Sequence, residues 1–133
     1  MRNILYVVLA LVVLAVVSCG KTEVQNPNEL AARAAKVYYD YLIAGNYEAY
    51  VDGFYRPDSI PGSYREQLIV NAKQYVGQIK DDHSGLAAVH AVSAKTDTAR
   101  HVGRAFLMLC FGDSTKEEIV VPMVLHGGNW YMK

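Results

Sequence analysis

Asp81-Asp82-His83-Ser84-Gly85 is where the apolar residues change their spacing, and that change decides the fold. Before it, apolar positions return every three or four residues, as on one face of a helix. After it they alternate, as on one face of a strand. The five residues are themselves polar and turn-forming, so they read as the break between a helical half and a strand half. Helices gathered in one half and strands in the other give an α+β domain.

Upstream of the break, Ser63 and Glu66 have the spacing of a capping box for a helix whose inward face is Leu68, Ile69, Ala72, Tyr75, Val76 and Ile79. The segment Asp58-Ser59-Ile60-Pro61-Gly62 contains turn formers and little periodicity, so it reads as a loop. A shorter helix precedes it, capped by Asn46, with Tyr47, Tyr50, Val51 and Phe54 facing inward and Arg56-Pro57 ending it. The first helix starts at Asn26-Pro27-Asn28-Glu29, with a capping asparagine, proline at the first helical position and an acidic residue in the first turn. Its apolar stripe is Leu30, Ala34, Val37, Tyr38, Tyr41 and Leu42, its polar side Arg33, Lys36 and Asp40, and its stop Gly45.

Downstream, residues 86–95 and 100–111 read as two strands joined around Asp97-Thr98, and Gly112-Asp113 turns the chain into a third. Ile119, Val121, Met123 and Leu125 alternate along that third strand. Pro122 lies among them and has no N–H to give to a ladder, so it belongs at a bulge or where one strand edge is unpaired. Gly127-Gly128 leads into a final strand, 129–133, with Trp130 as core anchor.

At the other end, Arg2 precedes an apolar run from Ile4 to Val17, roughly the length of a signal-peptide core and short of the ~20 residues needed to span a bilayer. Val16-Val17-Ser18-Cys19-Gly20 resembles a bacterial lipobox, in which the signal is removed before the cysteine and acyl chains, palmitate among them, are attached to it. The resemblance implies residues 1–18 as a lipoprotein signal peptide, Cys19 as the lipidation site, 19–25 as lipidated cysteine and tether, and 26–133 as the working domain. Its partner is then the lipid bilayer, held firmly because several acyl chains are present. Gly20-Lys21-Thr22-Glu23 lacks an acidic cluster after the cysteine, so the expected place is the cell envelope, on the outer membrane facing the periplasm.

Charge narrows the function classes. The whole chain has 13 Lys+Arg against 13 Asp+Glu, with both signs interspersed, which offers no basic surplus for nucleic acid. No Cys or His cluster has metal-ligand spacing, so neither a metal nor a cofactor is expected. Cys110, in Phe106-Leu107-Met108-Leu109-Cys110-Phe111, reads as a buried thiol in a core strand.

Three helices followed by a four-stranded antiparallel meander ending in Gly127-Gly128-Asn129-Trp130-Tyr131 resemble the nuclear transport factor two-like, or cystatin-like, superfamily. More closely, a helix like Ala35 to Gly45 leading into Asn46-Tyr47-Glu48-Ala49 resembles small Bacteroidetes lipoproteins that share a domain of unknown function. The resemblance implies a cone in which a curved sheet wraps the first helix. It does not imply a reaction, because such folds host isomerases, dehydratases, transport factors and scaffolds.

Inside such a cone, Tyr38, Tyr41, Tyr50 and Tyr75 are the residues expected around a cavity, although tyrosines at helical spacing are foremost core residues with a polar tip. His90 and His101 are further candidate cavity-lining residues, on adjacent expected strands where a hairpin centred near Asp97 brings them within a few residues of alignment; the plainer reading is two partly exposed sheet histidines. His83 and His126 fall in turns facing solvent. No catalytic residues are assigned: there is no nucleophile elbow, phosphate loop or paired-carboxylate motif. The expected function is therefore an envelope lipoprotein whose domain binds a small ligand or an envelope protein without catalysis. The alternatives are a cavity enzyme of the ketosteroid isomerase or dehydratase type, and a purely structural interaction module that uses the exposed sheet face.

Overall fold

The computed structural model describes residues 26–56 and 61–133. The signal, Cys19 and the tether lie outside the described residues. Among those described, no helix is long and apolar enough to cross a membrane.

Helices α1 (Pro27–Ala44), α2 (Tyr47–Asp52) and α3 (Gly62–His83) precede strands β1 (Leu86–Asp97), β2 (Val102–Phe111), β3 (Lys116–His126) and β4 (Asn129–Met132). The strands form one antiparallel sheet in the order β1-β2-β3-β4, and the curved sheet carries the helices on its inner face. Asn26 caps α1 by accepting the Asn28 N–H at 2.9 Å, and Gly45 ends it in the left-handed conformation at φ 77°. Asn46 caps α2 by accepting the Ala49 N–H at 3.2 Å.

Helix α1 turns a different face to the sheet from the one its bulky residues suggest. Ala31, Ala32, Ala35 and Leu42 are buried, whereas Leu30 and Val37 are 37% and 40% exposed. The alanines let the helix backbone come close to the strands, so the small residues win the central position and the larger ones are displaced to the flank. They meet Ala105, Leu107, Leu109 and Phe111 of β2, Val121 and Met123 of β3, and Trp130 and Met132 of β4. Among the described residues, the buried apolar side chains run from Ala31 to Met132 and form one cluster between helix and sheet.

Helix α3 departs from expectation at both ends. It begins after Pro61 with no side-chain cap, which leaves Ser63 inside the first turn and the Ser63–Glu66 capping box unformed. It continues through Asp81 and Asp82 to His83, and Ser84 and Gly85 alone make the break, with φ 61° and 101°. Of its expected inward face, Ala72 and Ile79 are buried and Tyr75 is exposed.

Pro122 sits in the middle strand without breaking the sheet. Its carbonyl accepts the Lys133 N–H at 2.9 Å, so its polar edge faces β4 one residue past the last pair, Met123 with Met132. The missing N–H falls where no ladder remains to need it. The outer edge of β4 is also occupied: Tyr55 donates its N–H to the Met132 carbonyl at 2.7 Å, and Met132 donates to the Gly53 carbonyl at 2.8 Å. Cys110 is half-buried on the convex face between its partners Ala88 and Lys116, because the alternate positions Leu109 and Phe111 take the core. This corrects the reading of a fully buried thiol.

Candidate functional site

Strand β1 is an edge strand, and α1 lies against its inner side, so a groove runs between them. Asn28, Glu29, Ala32, Arg33 and Lys36 form one wall and Ala91 to Ala94 the other, enclosing about 650 Å³. Ala32 and Ala94 give it an apolar floor. A bulge between Ala91 and Ser93 shifts the register and leaves Val92 51% exposed at its rim. Lys36 is held by Asp40 at 2.7 Å, one helical turn on. At the groove's end the Asn28 side-chain oxygen accepts the Thr96 N–H at 3.0 Å, taking the position of an acceptor on a neighbouring strand.

A second groove of about 400 Å³ lies on the other flank of α1, against the β3–β4 turn, and Leu30, Val37, Tyr38, Trp130 and Tyr131 line it. The Tyr38 hydroxyl donates to the Trp130 carbonyl at 2.7 Å, which ties the helix to β4.

Between the helices and the sheet the space is filled. Tyr39, Tyr50 and Phe54 stack edge to face, with ring centroids 5.8 and 5.3 Å apart. Burial pushes the Tyr39 hydroxyl far above the ordinary phenol range, with the Tyr50 and Tyr75 hydroxyls adding to the effect. Burial raises Tyr50 and Tyr75 as well, and the Glu117 carboxylate contributes at Tyr75. These hydroxyls stay protonated; Tyr39 and Tyr50 pack in the aromatic cluster, while Tyr75 lies at its exposed margin.

A smaller cleft of about 240 Å³ opens beside the end of α3, lined by Tyr75, Ile79, His83, Phe111 and Glu117 among others. His83 stacks on Phe111 with centroids 4.3 Å apart, and its Nδ1 lies 3.0 Å from the Asp113 carboxylate. Asp113 also accepts from the Thr115 hydroxyl and N–H; these bonds, with His83, hold its carboxyl below the usual range. Asp52 is likewise lowered, first by Arg65 at 3.0 Å and then by Arg56 at 3.2 Å. Both carboxylates are thus made weaker bases, the opposite of what a general base near neutral pH requires.

The residues named from the sequence do not converge. Tyr38 lines the second groove, Tyr75 the small cleft, Tyr50 belongs to the aromatic core, and Tyr41 is half-buried on α1. His90 pairs with Met108 on the convex, exposed side. His101 lies in the turn before Val102, at φ 58°. Since Val102 pairs with Asp97, His101 is more than seven strand positions from His90, roughly 23 Å at ~3.3 Å per residue. The expected alignment of the two histidines is therefore wrong, because the turn is residues 98–101 and His101 belongs to it instead of lying along β2. Tyr39 and the His83–Asp113 pair went unnoticed. The helical spacing Ala32, Ala35, Tyr39 signals the first, and the Asp113-Ser114-Thr115 turn signals the second. Among the described residues, no cluster of three His, Cys, Asp or Glu is placed to hold a metal ion.

No family model matches the chain, and no curated protein does. Among solved structures, the fold is similar to that of a Campylobacter jejuni protein named as an NTF2-like transpeptidase. The TM-score is 0.58 at 9% identity, over 74% of this chain and 92% of that one. At that identity the likeness carries the fold alone.

Proposed function

We propose that this chain, with its NTF2-like fold, is a lipid-anchored envelope protein whose domain binds a small ligand and does not catalyse a reaction on it. The observation that carries the reading is the groove between α1 and β1, open to solvent, with an alanine floor and Glu29, Arg33 and Lys36 on its wall. An apolar floor with charges of both signs suits a molecule that is itself part apolar and part charged, such as an amino acid or short peptide. Against catalysis stand the filled interior, with Trp130, Met123 and Met132 packed where a chamber would lie, and carboxylates shifted away from base strength.

Binding is tested by titrating amino acids and dipeptides into the labelled protein and following the backbone amide signals of Ala91 to Ala94. Saturable shifts there, lost in Arg33→Ala, support the groove; an unresponsive groove across the panel overturns it. Anchoring is tested by Cys19→Ser, which should move the protein from the membrane to the soluble fraction. Continued membrane association defeats the lipid-anchor reading.

A second reading, an interaction module working through the sheet, has one observation in its favour. Val92, Val102 and Val120 are 41–52% exposed on the strands. Val102 and Val120 both lie on the face away from α1, where they offer an apolar contact.

A further inference from the structure

Charges that alternate along the sequence are sorted by the fold. The β1–β2 and β3–β4 turns lie at the same end of the sheet as the start of α1, because Asn28 bonds to Thr96. That end carries Lys95, Arg100, Arg104 and Lys133 against Glu29 in the first turn of α1 and Asp97, which Arg100 approaches at 3.7 Å. The opposite end, around the close of α3 and the β2–β3 turn, carries Asp81, Asp82, Asp113, Glu117 and Glu118 against Lys80 and Lys116.

Three of the basic residues share one cleft of about 440 Å³, together with Asp97, Val102 and Pro122. Lys95 is directly cross-strand from Arg104, and Arg104 from Pro122, whose carbonyl holds the Lys133 N–H. Positive charges facing each other across a strand pair repel, and an anionic surface against them relieves the repulsion. Among the described residues, none of the three is in an ion pair. The row is exposed, so it is free to meet a surface.

The chain itself indicates which surface. Asn26 is seven residues beyond Cys19, so a lipid on that cysteine keeps the start of α1, and the basic end with it, within about 25 Å of the bilayer at ~3.5 Å per residue. We propose that the end of the sheet bearing Lys95, Arg104 and Lys133 docks on a bilayer surface carrying anionic headgroups. For its proximity to the membrane this rests on the lipid-anchored reading. Docking in this pose turns the acidic end away from the membrane, and Val102, 41% exposed, lies beside the basic row where it can enter the headgroup layer.

The test uses the chain from Lys21 onward, which retains the core cluster from Ala31 to Met132 and has no acyl group, in co-sedimentation with vesicles; circular dichroism checks that it is folded. Phosphatidylcholine vesicles with and without phosphatidylglycerol are compared at rising salt. Binding is expected for the anionic vesicles alone and should fall as salt rises. Each basic side chain removed should weaken it about fivefold, so Lys95→Gln with Arg104→Gln should lose about 25-fold. Lys80→Gln with Lys116→Gln removes the same charge from the opposite end and should stay within about twofold of the wild type; circular dichroism confirms that both variants are folded. Equal binding to both vesicle types, no binding to anionic vesicles, or equal losses in the two variants overturns the proposal. Because no lipid is attached in this assay, its outcome is independent of the Cys19→Ser fractionation.

Discussion

Asn28 and Thr96, far apart in sequence, are joined twice: the Asn28 side-chain oxygen accepts both the backbone N–H and the hydroxyl of Thr96. One side chain in the first turn of α1 thereby fastens the helix to the last turn-proximal residues of the edge strand. Asn28→Ala leaves a half-buried N–H without an acceptor and should lower stability by about 1–2 kcal/mol. Urea denaturation reads this as a lower midpoint at unchanged slope; an unmoved midpoint means water replaces the asparagine without loss.

Gly53 lies under the ring of Tyr38. A Cβ at Gly53 would stand 2.4 Å from Tyr38 Cδ1, so Gly53→Ala must push the ring and strain its bond to Trp130. A loss of about 1–3 kcal/mol is expected from such overpacking. Combining it with Tyr38→Ala should cost less than the sum of the two single changes. Additive losses in that double-mutant cycle would show that the glycine is needed for another reason.

Acid should unfold the domain in part through Asp52 and Asp113. Both have folded pKa values lowered below the unfolded one, Asp52 chiefly by Arg65 and Asp113 chiefly by Thr115. Their contribution is present above the ordinary carboxylate value, about 3.9, and is lost as pH falls through the lower folded values. Thermal melts across that range should fall less steeply for Asp52→Asn combined with Asp113→Asn than for the wild type. Because both residues are largely exposed, the difference should shrink further in high salt.

Alkali acts through the tyrosines with the opposite sign. Tyr39, Tyr50 and Tyr75 have folded pKa values raised above the unfolded one, so their contribution is complete below the ordinary phenol value, about 10, and is lost as pH rises through the folded values. A spectrophotometric titration should show a group of tyrosines ionising only as the protein unfolds. Tyr39→Phe should keep the fold stable further into alkali; an identical unfolding profile would place the ionisation elsewhere.

The order of elements was legible because period and turn chemistry are local. Gly45 and Gly127-Gly128 mark their boundaries through backbone conformation and Asn46 through its side-chain cap, and the alternation of Ile119, Val121 and Met123 set one face of β3. What failed depended on partners. The α1 stripe misled because Leu30 and Val37 are bulkier than Ala31 and Ala35, while the approach of the sheet selected for smallness. The Ser63–Glu66 pair had the right spacing for a cap, but the helix started ahead of it. The placement of His90 and His101 depended on hairpin register, which a shift of a few residues in the turn alters completely. The grooves beside α1 were not legible at all, since they arise from the angle between a helix and a bulged edge strand.

The two outer edges of the sheet differ, and the difference limits how copies of the domain can polymerise. Met132 of β4 already exchanges hydrogen bonds with Gly53 and Tyr55, so that edge is capped from within. Among the described residues, the edge of β1 beside Ala91 to Ala94 has no such strand, and Asn28 closes its end. Two copies meeting through β1 would bring the same edge from each, a self-complementary contact that closes on itself as a pair.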